Sequence, residues 1–329
     1  MRKSPMFWPL ILLGAVLLLN LIIDPAFFSI TVRDGRFYGS LIDILKNAAP
    51  VMLVSVGMTL VIATGGVDLS VGAVMAISGA VAAGLIQRPN GFLLNGFPIH
   101  ALPAILLFSV AIAAVCGLFN GFLIGFARLQ PIVATLILMV SGRGVAQLLT
   151  GGQIITFNNP TLASMGLGAT LALPNPIWIA LFVALLVGLL ARKTAFGLFT
   201  EAVGDNPSAA DGVGIDSRTV KLAIYTISGA CAGIAGLIAA ANIKAADANN
   251  AGALLELDAI LAVAIGGTSM AGGRFSIVGS LLGAILMQAV TTTILTRGVP
   301  PEITLVLKAL IVIGVCLAQS PTWEKRSTA

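Results

Sequence analysis

The chain has 329 residues, of which 58% are hydrophobic and 9% charged, and its mean hydropathy is +1.04. A soluble domain of this size needs far more charge on its surface, so composition excludes a soluble enzyme and leaves a polytopic, all-α membrane protein. The formal net charge of +5 does not point to nucleic acid, because Lys and Arg lie mostly in short segments between apolar runs, where they orient a chain in the bilayer.

A hydrocarbon core of about 30 Å needs roughly 20 apolar helical residues. On that scale the predicted spans are 6–23, 47–63, 72–87, 101–126, 132–149, 174–191, 219–241, 258–270, 276–296 and 302–319, about ten helices in a single domain, 1–329. The first reads as an uncleaved helix, since no small-x-small cleavage site follows it. Asp24 to Lys46 then balances three acids against three bases and holds the turn signal Asp34-Gly35.

The second span stops at Thr64-Gly65-Gly66, and Gly266-Gly267-Thr268 interrupts the chain about 200 residues later. Such breaks free backbone groups that protein or water must satisfy at membrane depth. Paired breaks are what the internal repeats of transporters show, although glycine pairs are also common in packed membrane helices. Asp68 follows the first break, and Arg143 lies inside an apolar span with Gln147 one turn on. A charge at that depth costs about 2.5–3.5 kcal/mol on insertion scales, so each needs a protein or water partner. These residues either line or brace a polar pathway, or form a structural pair or snorkel to the interface. Asn120 and Thr135 are weaker pathway candidates, equally suited to bonding a neighbouring helix.

Thr150 to Pro174 is uncharged and rich in Gly, Asn, Thr and Pro, and suits a re-entrant or capping segment; Asn242 to Glu256 is the most polar of the segments placed outside. Between them lies a polar island, Arg192 to Lys221, with four basic and four acidic residues. Asn206 caps a short helix opened by Pro207, and Gly212 and Gly214 end it. Its small side chains let its backbone approach a groove on a partner; an ordinary solvated loop is the alternative. Counting crossings places the island's 192–218 loop and both termini on the Lys/Arg-rich, cytoplasmic side.

Cys116, Cys231 and Cys316 sit in apolar stretches as small hydrophobes, and His100 is the one histidine, so no metal site is expected. No Gly-Lys pair exists for a phosphate loop. The chain is no hydrolase, and any ATP chemistry belongs to another subunit.

Ile62–Gly72, the island block Asn206-x-x-Ala209-Ala210-x-x-x-Gly214-Ile215, and Glu256–Gly273, in that order, resemble the signature blocks of ribose- and galactose-type sugar ABC permeases. The resemblance covers residues from about 40 to 310, and Asp34–Ser40, Glu201–Gly204 and Ala246–Gly252 are most similar to its galactofuranose-importing members. It implies a type II (vitamin B12 importer-like) permease of two related halves in the inner membrane, surrounded by lipid. The implied partners are an ABC ATPase subunit, a second permease, identical or paralogous, and a periplasmic sugar-binding protein. ATP and Mg would bind the ATPase, leaving no cofactor in this chain. Glu201, Gly204, Asn206, Ala209, Ala210, Gly214 and Ile215 would form the ATPase contact, and the cargo would be galactofuranose or a related hexose or pentose. A branched-chain amino-acid ABC permease and an ion-coupled sugar transporter, which would use Asp68 and Asp258, are the alternatives.

Overall fold

A computed structural model describes residues 7–33, 35–87, 101–300, 303 and 305–310. The expectations placed on Met1 to Lys3, Asp34, His100, Cys316 and the 320–329 tail lie outside the described residues. Of the described residues, 75% are helical. Its helices are α1 (Phe7–Ile23), α2 (Ser40–Ala63), α3 (Val71–Gln87), α4 (Leu102–Gly125), α5 (Pro131–Thr150), α6 (Pro160–Leu167), α7 (Asn175–Lys193), α8 (Ala195–Asp205), α9 (Pro207–Gly212), α10 (Ser217–Ile243), α11 (Leu255–Ile265) and α12 (Ile277–Thr296). Among the described residues, α2, α4, α5, α7, α10 and α12 are long and apolar enough to cross a membrane, with α1 and α3 shorter apolar helices.

Three differences from the predicted spans have physical causes. Helix α2 starts at Ser40 instead of residue 47, because Asp43 sits in its first turn, where the helix dipole favours an acid. Helix α11 runs Leu255–Ile265 instead of 258–270; at 1.5 Å per residue it is about 16 Å long and does not span. The predicted helix 302–319 falls largely outside the described residues, of which 303 and 305–310 are helical.

Helix α2 is the centre of the bundle, with 78% of its most apolar window buried. It packs against α7, α10, α11 and α12, while α10 also meets α3 and α4. Gly117, Gly121 and Gly125, one turn apart on α4, face Tyr225, Leu222 and Arg218 of α10. A Cβ on Gly121 would stand 2.8 Å from the Leu222 Cα, and one on Gly125 2.9 Å from the Arg218 carbonyl. Small residues therefore bring the two backbones into direct contact, the usual way to tighten helix pairs where lipid is as apolar as the side chains.

The all-α expectation holds apart from three two-stranded antiparallel ribbons. Thr31–Arg33 pairs with Arg36–Tyr38 around Gly35, whose φ of +71° suits the expected turn. Ile155–Thr156 pairs with Ala245–Ala246, and Ala169–Thr170 with Leu173–Pro174. The uncharged segment after α5 thus folds as a cap, with α6 laid against α10.

Candidate functional site

Both glycine breaks end their helices in the same way. Gly65, with φ of +74°, donates to the Ile62 carbonyl, and Gly66 donates to Val61. Gly267, with φ of +81°, donates to Ala264, and Thr268 donates to Val263. This is the Schellman arrangement, which a left-handed residue after the helix end permits. The two breaks also meet. The Gly273 amide donates to the Ala63 carbonyl at 2.9 Å, and a Cβ on Gly272 would stand 3.1 Å from the Gly65 nitrogen. Gly204, at the end of α8, completes the junction: a Cβ there would strike the Ala63 carbonyl and lie 2.6 Å from the Gly273 nitrogen. Main chain from α2, α8 and the α11–α12 connection therefore converges at one point.

Just beyond the first break stands a buried polar cluster. The Asp68 carboxyl, 1% exposed, accepts hydrogen bonds from the Ser70 amide and hydroxyl at 3.1 and 2.6 Å and from the Ser228 hydroxyl at 2.9 Å. The Asn120 amide donates to the Ser70 oxygen at 2.9 Å, and the Thr135 hydroxyl lies 3.3 Å from the Val67 carbonyl. Three of the predicted pathway residues, Asp68, Asn120 and Thr135, thus fasten the α2–α3 connection to α4, α5 and α10. Ser228 stands about 16 Å along α10 from Ser217, well inside the bundle. Two more atoms of this region, the Tyr225 hydroxyl and the Asn120 carbonyl oxygen, are buried without a hydrogen-bond partner among the described residues.

Arg143 and Gln147, the other predicted pathway residues, stand elsewhere. Arg143 donates to the carbonyls of Ala248 and Ala251 at 3.0 and 2.7 Å, and Gln147 donates to the Asn249 side chain at 2.7 Å. They brace the segment between α10 and α11. Asp247 shapes the same segment by accepting from the Asn249 and Asn250 amides. Its far side walls a cavity of about 540 Å³ between α2, α3, α10, α11 and α12, with Pro176 of α7 and Lys308 at its edge, toward the end of α10 away from α9. Asn47, Asn250, Asp258, Gln288, Thr291 and Lys308 line it, and Lys308 pairs with Asp258 at 2.8 Å. Sequence reasoning missed most of these, yet a signal existed: Gln288 and Thr291 lie three residues apart, on one face of α12. Glu256, also unflagged, is buried against α3, where a Cβ on Gly72 would lie 2.7 Å from its Oε2.

The short helix expected in the polar island is α9, and the segment before it, which carried no helix expectation, is α8. The Asn206 side chain accepts from the Ala209 amide at 3.1 Å, and Pro207 occupies the first helical turn. Gly214, with φ of +88°, and Ile215 close the end by donating to Asp211 and Ala210, a third Schellman arrangement. Asn206, Ala209 and Gly214 are exposed, as is Val213 at 78%. Ala210 is buried and Ile215 and Glu201 are half-buried, so these anchor the segment to the bundle. Asp211 accepts from the amide and hydroxyl of Ser217, which hold its carboxyl below the ordinary Asp value. Asp216 caps α10, and its hydrogen bond from the Thr219 hydroxyl does the same for its carboxyl.

Comparison with known proteins adds the family. A family described as "Branched-chain amino acid transport system / permease component" matches residues 40–316. The galactofuranose transporter permease protein YtfT of Escherichia coli (strain K12) is 51% identical over 95% of this chain and 90% of its own. The fructose import permease protein FruF of Bifidobacterium longum (strain NCC 2705) is 38% identical over 97% of this chain and 88% of its own. The ribose import permease protein RbsC of Escherichia coli (strain K12) is 33% identical over 91% of this chain and 88% of its own. No solved structure matches. Apolar spans, paired glycine breaks and a family match across nearly the whole bundle agree, and the chain belongs to this family of multi-pass membrane permease components of ABC transporters.

Proposed function

We propose that the chain is the membrane-spanning subunit of an ABC importer that carries a monosaccharide, galactofuranose or a related hexose or pentose, into the cytoplasm. The observation that carries the reading is 51% identity, over 95% of the chain, with a galactofuranose permease. In this reading the α9 end faces the cytoplasm together with both termini, and the cavity end faces the periplasm across the inner membrane. The bundle has about ten helices in two related halves of the type II kind, with the matched breaks at Gly65 and Gly267 as the corresponding points of the halves. A partner ATPase binds ATP and Mg and grips Asn206, Ala209, Val213 and Gly214. A periplasmic binding protein delivers the sugar, and a second permease, identical or paralogous, completes the pathway.

The geometry supports a mechanical route. Movement of α9 drags α8, and Gly204 at the end of α8 presses on Ala63 and Gly273. One displacement thereby reaches α3 through the Asp68 cluster and α12 through the second break. Rigid helices joined at such breaks switch between discrete arrangements.

The test is purification of the tagged protein from its native membrane, followed by sugar uptake in reconstituted vesicles. An ATPase subunit is expected to accompany it, and ATP is expected to drive uptake of galactofuranose, fructose or ribose. Ala209→Trp is expected to abolish uptake in a normally folded permease. A protein that arrives without an ATPase and transports on an ion gradient would overturn the reading.

A further inference from the structure

We infer that the cavity between α2, α3, α10, α11 and α12 is a transient sugar-binding site within a single permease subunit; the inference rests on the importer reading. Its volume of about 540 Å³ lies inside the roughly 300–1,000 Å³ typical of small-molecule sites. Among the described residues, the charged groups in its lining are two ammonium groups, Lys46 and Lys308, and two carboxylates, Asp247 and Asp258, whose charges cancel. Moreover, Lys308 and Asp258 face each other at 2.8 Å, and Asp247 is engaged by the Asn250 side chain at 2.8 Å. A charged substrate would find few fixed charges free to hold it.

A neutral polyhydroxyl compound fits better. Each hydroxyl both donates and accepts; Asn47 and Gln288 carry both functions at the space, and the Thr291 hydroxyl, which donates to the Met287 carbonyl, is left to accept. The paired Asp258 and Lys308 add a carboxylate that accepts from hydroxyls and an ammonium that donates to their oxygens. The remaining lining, with Val51, Met75 and Ile238, offers the apolar surface on which the C–H face of a sugar ring rests. The wall that Arg143 and Gln147 brace keeps the space open. Binding here is weak by design, since an importer's pathway must release what it accepts.

The experiment uses the complete transporter with its ATPase and loaded binding protein in vesicles, and whichever of galactofuranose, fructose or ribose the wild type imports. Cys116, Cys231 and Cys316 are replaced by Ala, and Thr291→Cys is labelled by an impermeant thiol reagent from the cavity side. The sugar is expected to slow labelling by about fivefold or more, and Thr291→Trp and Gln288→Trp to cut uptake about tenfold. Leu186→Trp, on the exposed face of α7, should import as wild type. Elution as a monodisperse complex with the ATPase establishes that each variant folds. Unprotected labelling together with wild-type uptake by both Trp variants would overturn the site while leaving the importer intact. Protection by leucine in place of the sugar would also overturn it. A wild type that imports none of the three sugars removes the importer reading, and the site falls with it.

Discussion

At the scale of single residues, two buried polar side chains in one cluster carry opposite expectations. Asp68 accepts three hydrogen bonds from Ser70 and Ser228, so Asp68→Ala strands those donors in the interior. Each stranded group costs about 1–3 kcal/mol, and thermal melting in detergent should fall accordingly; unchanged melting would deny the cluster its fastening role. The Tyr225 hydroxyl is buried with no partner among the described residues, so Tyr225→Phe removes a desolvated group and loses no bond seen there. Its melting temperature should equal or exceed that of the wild type. A clear loss would mean that the hydroxyl has a partner in the protein's resting state. The sequence made Asp68 visible because an acid in an apolar run needs an explanation. It hid Tyr225, because a tyrosine in an apolar helix is ordinary, and hid Ser228, because serine is common in membrane helices.

At the scale of elements, glycine decides how closely helices meet. Gly121 stands with its α-carbon face against Leu222 on α10, whereas a Cβ on Gly188 in α7 would meet nothing within 4 Å. Gly121→Leu should therefore destabilise by about 1–3 kcal/mol or more through overpacking, and Gly188→Leu should be near neutral. Equal melting of the two would contradict the direct α4–α10 contact. The α9–α10 junction carries a pH prediction. Asp211 and Asp216 sit below the ordinary Asp value of 3.8 in the folded protein. A depressed carboxylate contributes stability that is present above the unfolded value and lost as pH falls through the folded one. Amide exchange across 207–219 should thus be flat through neutral and mildly acidic pH, after correction for intrinsic rates. It should accelerate only below 3.8. Acceleration already near neutrality would assign the junction's order to other groups.

Helix α9 was legible in the sequence because its cap, proline and terminal glycines are local signals. The breaks were legible for the same reason, down to Gly65 and Gly267. Helix α11 was legible only in part: Gly266-Gly267 marked its end, yet the span drawn to 270 ran past that break, and the close approach of Gly266 to Gly279 shows the packing behind the stop. Arg143 was flagged correctly as a charge needing partners, but partners in the form of backbone carbonyls leave no trace in composition. The cavity was the least legible part, since its lining comes from elements far apart in the chain, from Lys46 to Lys308.

At the scale of the whole molecule, main chain from α2, α8 and the α11–α12 connection meets at Gly204, and the mechanical route proposed above runs through that junction. A Cβ on Gly273 would lie 3.5 Å from the Asp205 Cβ, within the separation a disulfide bridges. Asp205→Cys with Gly273→Cys should therefore crosslink under mild oxidant. If the junction moves during transport, oxidation should lower uptake about tenfold, reductant should restore it, and each single variant should be indifferent to oxidant. Uptake that persists in the crosslinked protein would place the moving parts elsewhere.

Because Gly204, Gly266 and Gly279 each face main chain where a methyl group would sit, the mildest exchange available in the genetic code, glycine to alanine, is already too large there. Conservative and radical replacements should then score alike at these positions in a saturation scan. In the polar cluster, by contrast, tolerance should grade with chemistry, and Ser228→Thr should outlive Ser228→Leu. Two regions of equal importance would carry different mutational fingerprints, one set by size alone and the other by hydrogen bonding.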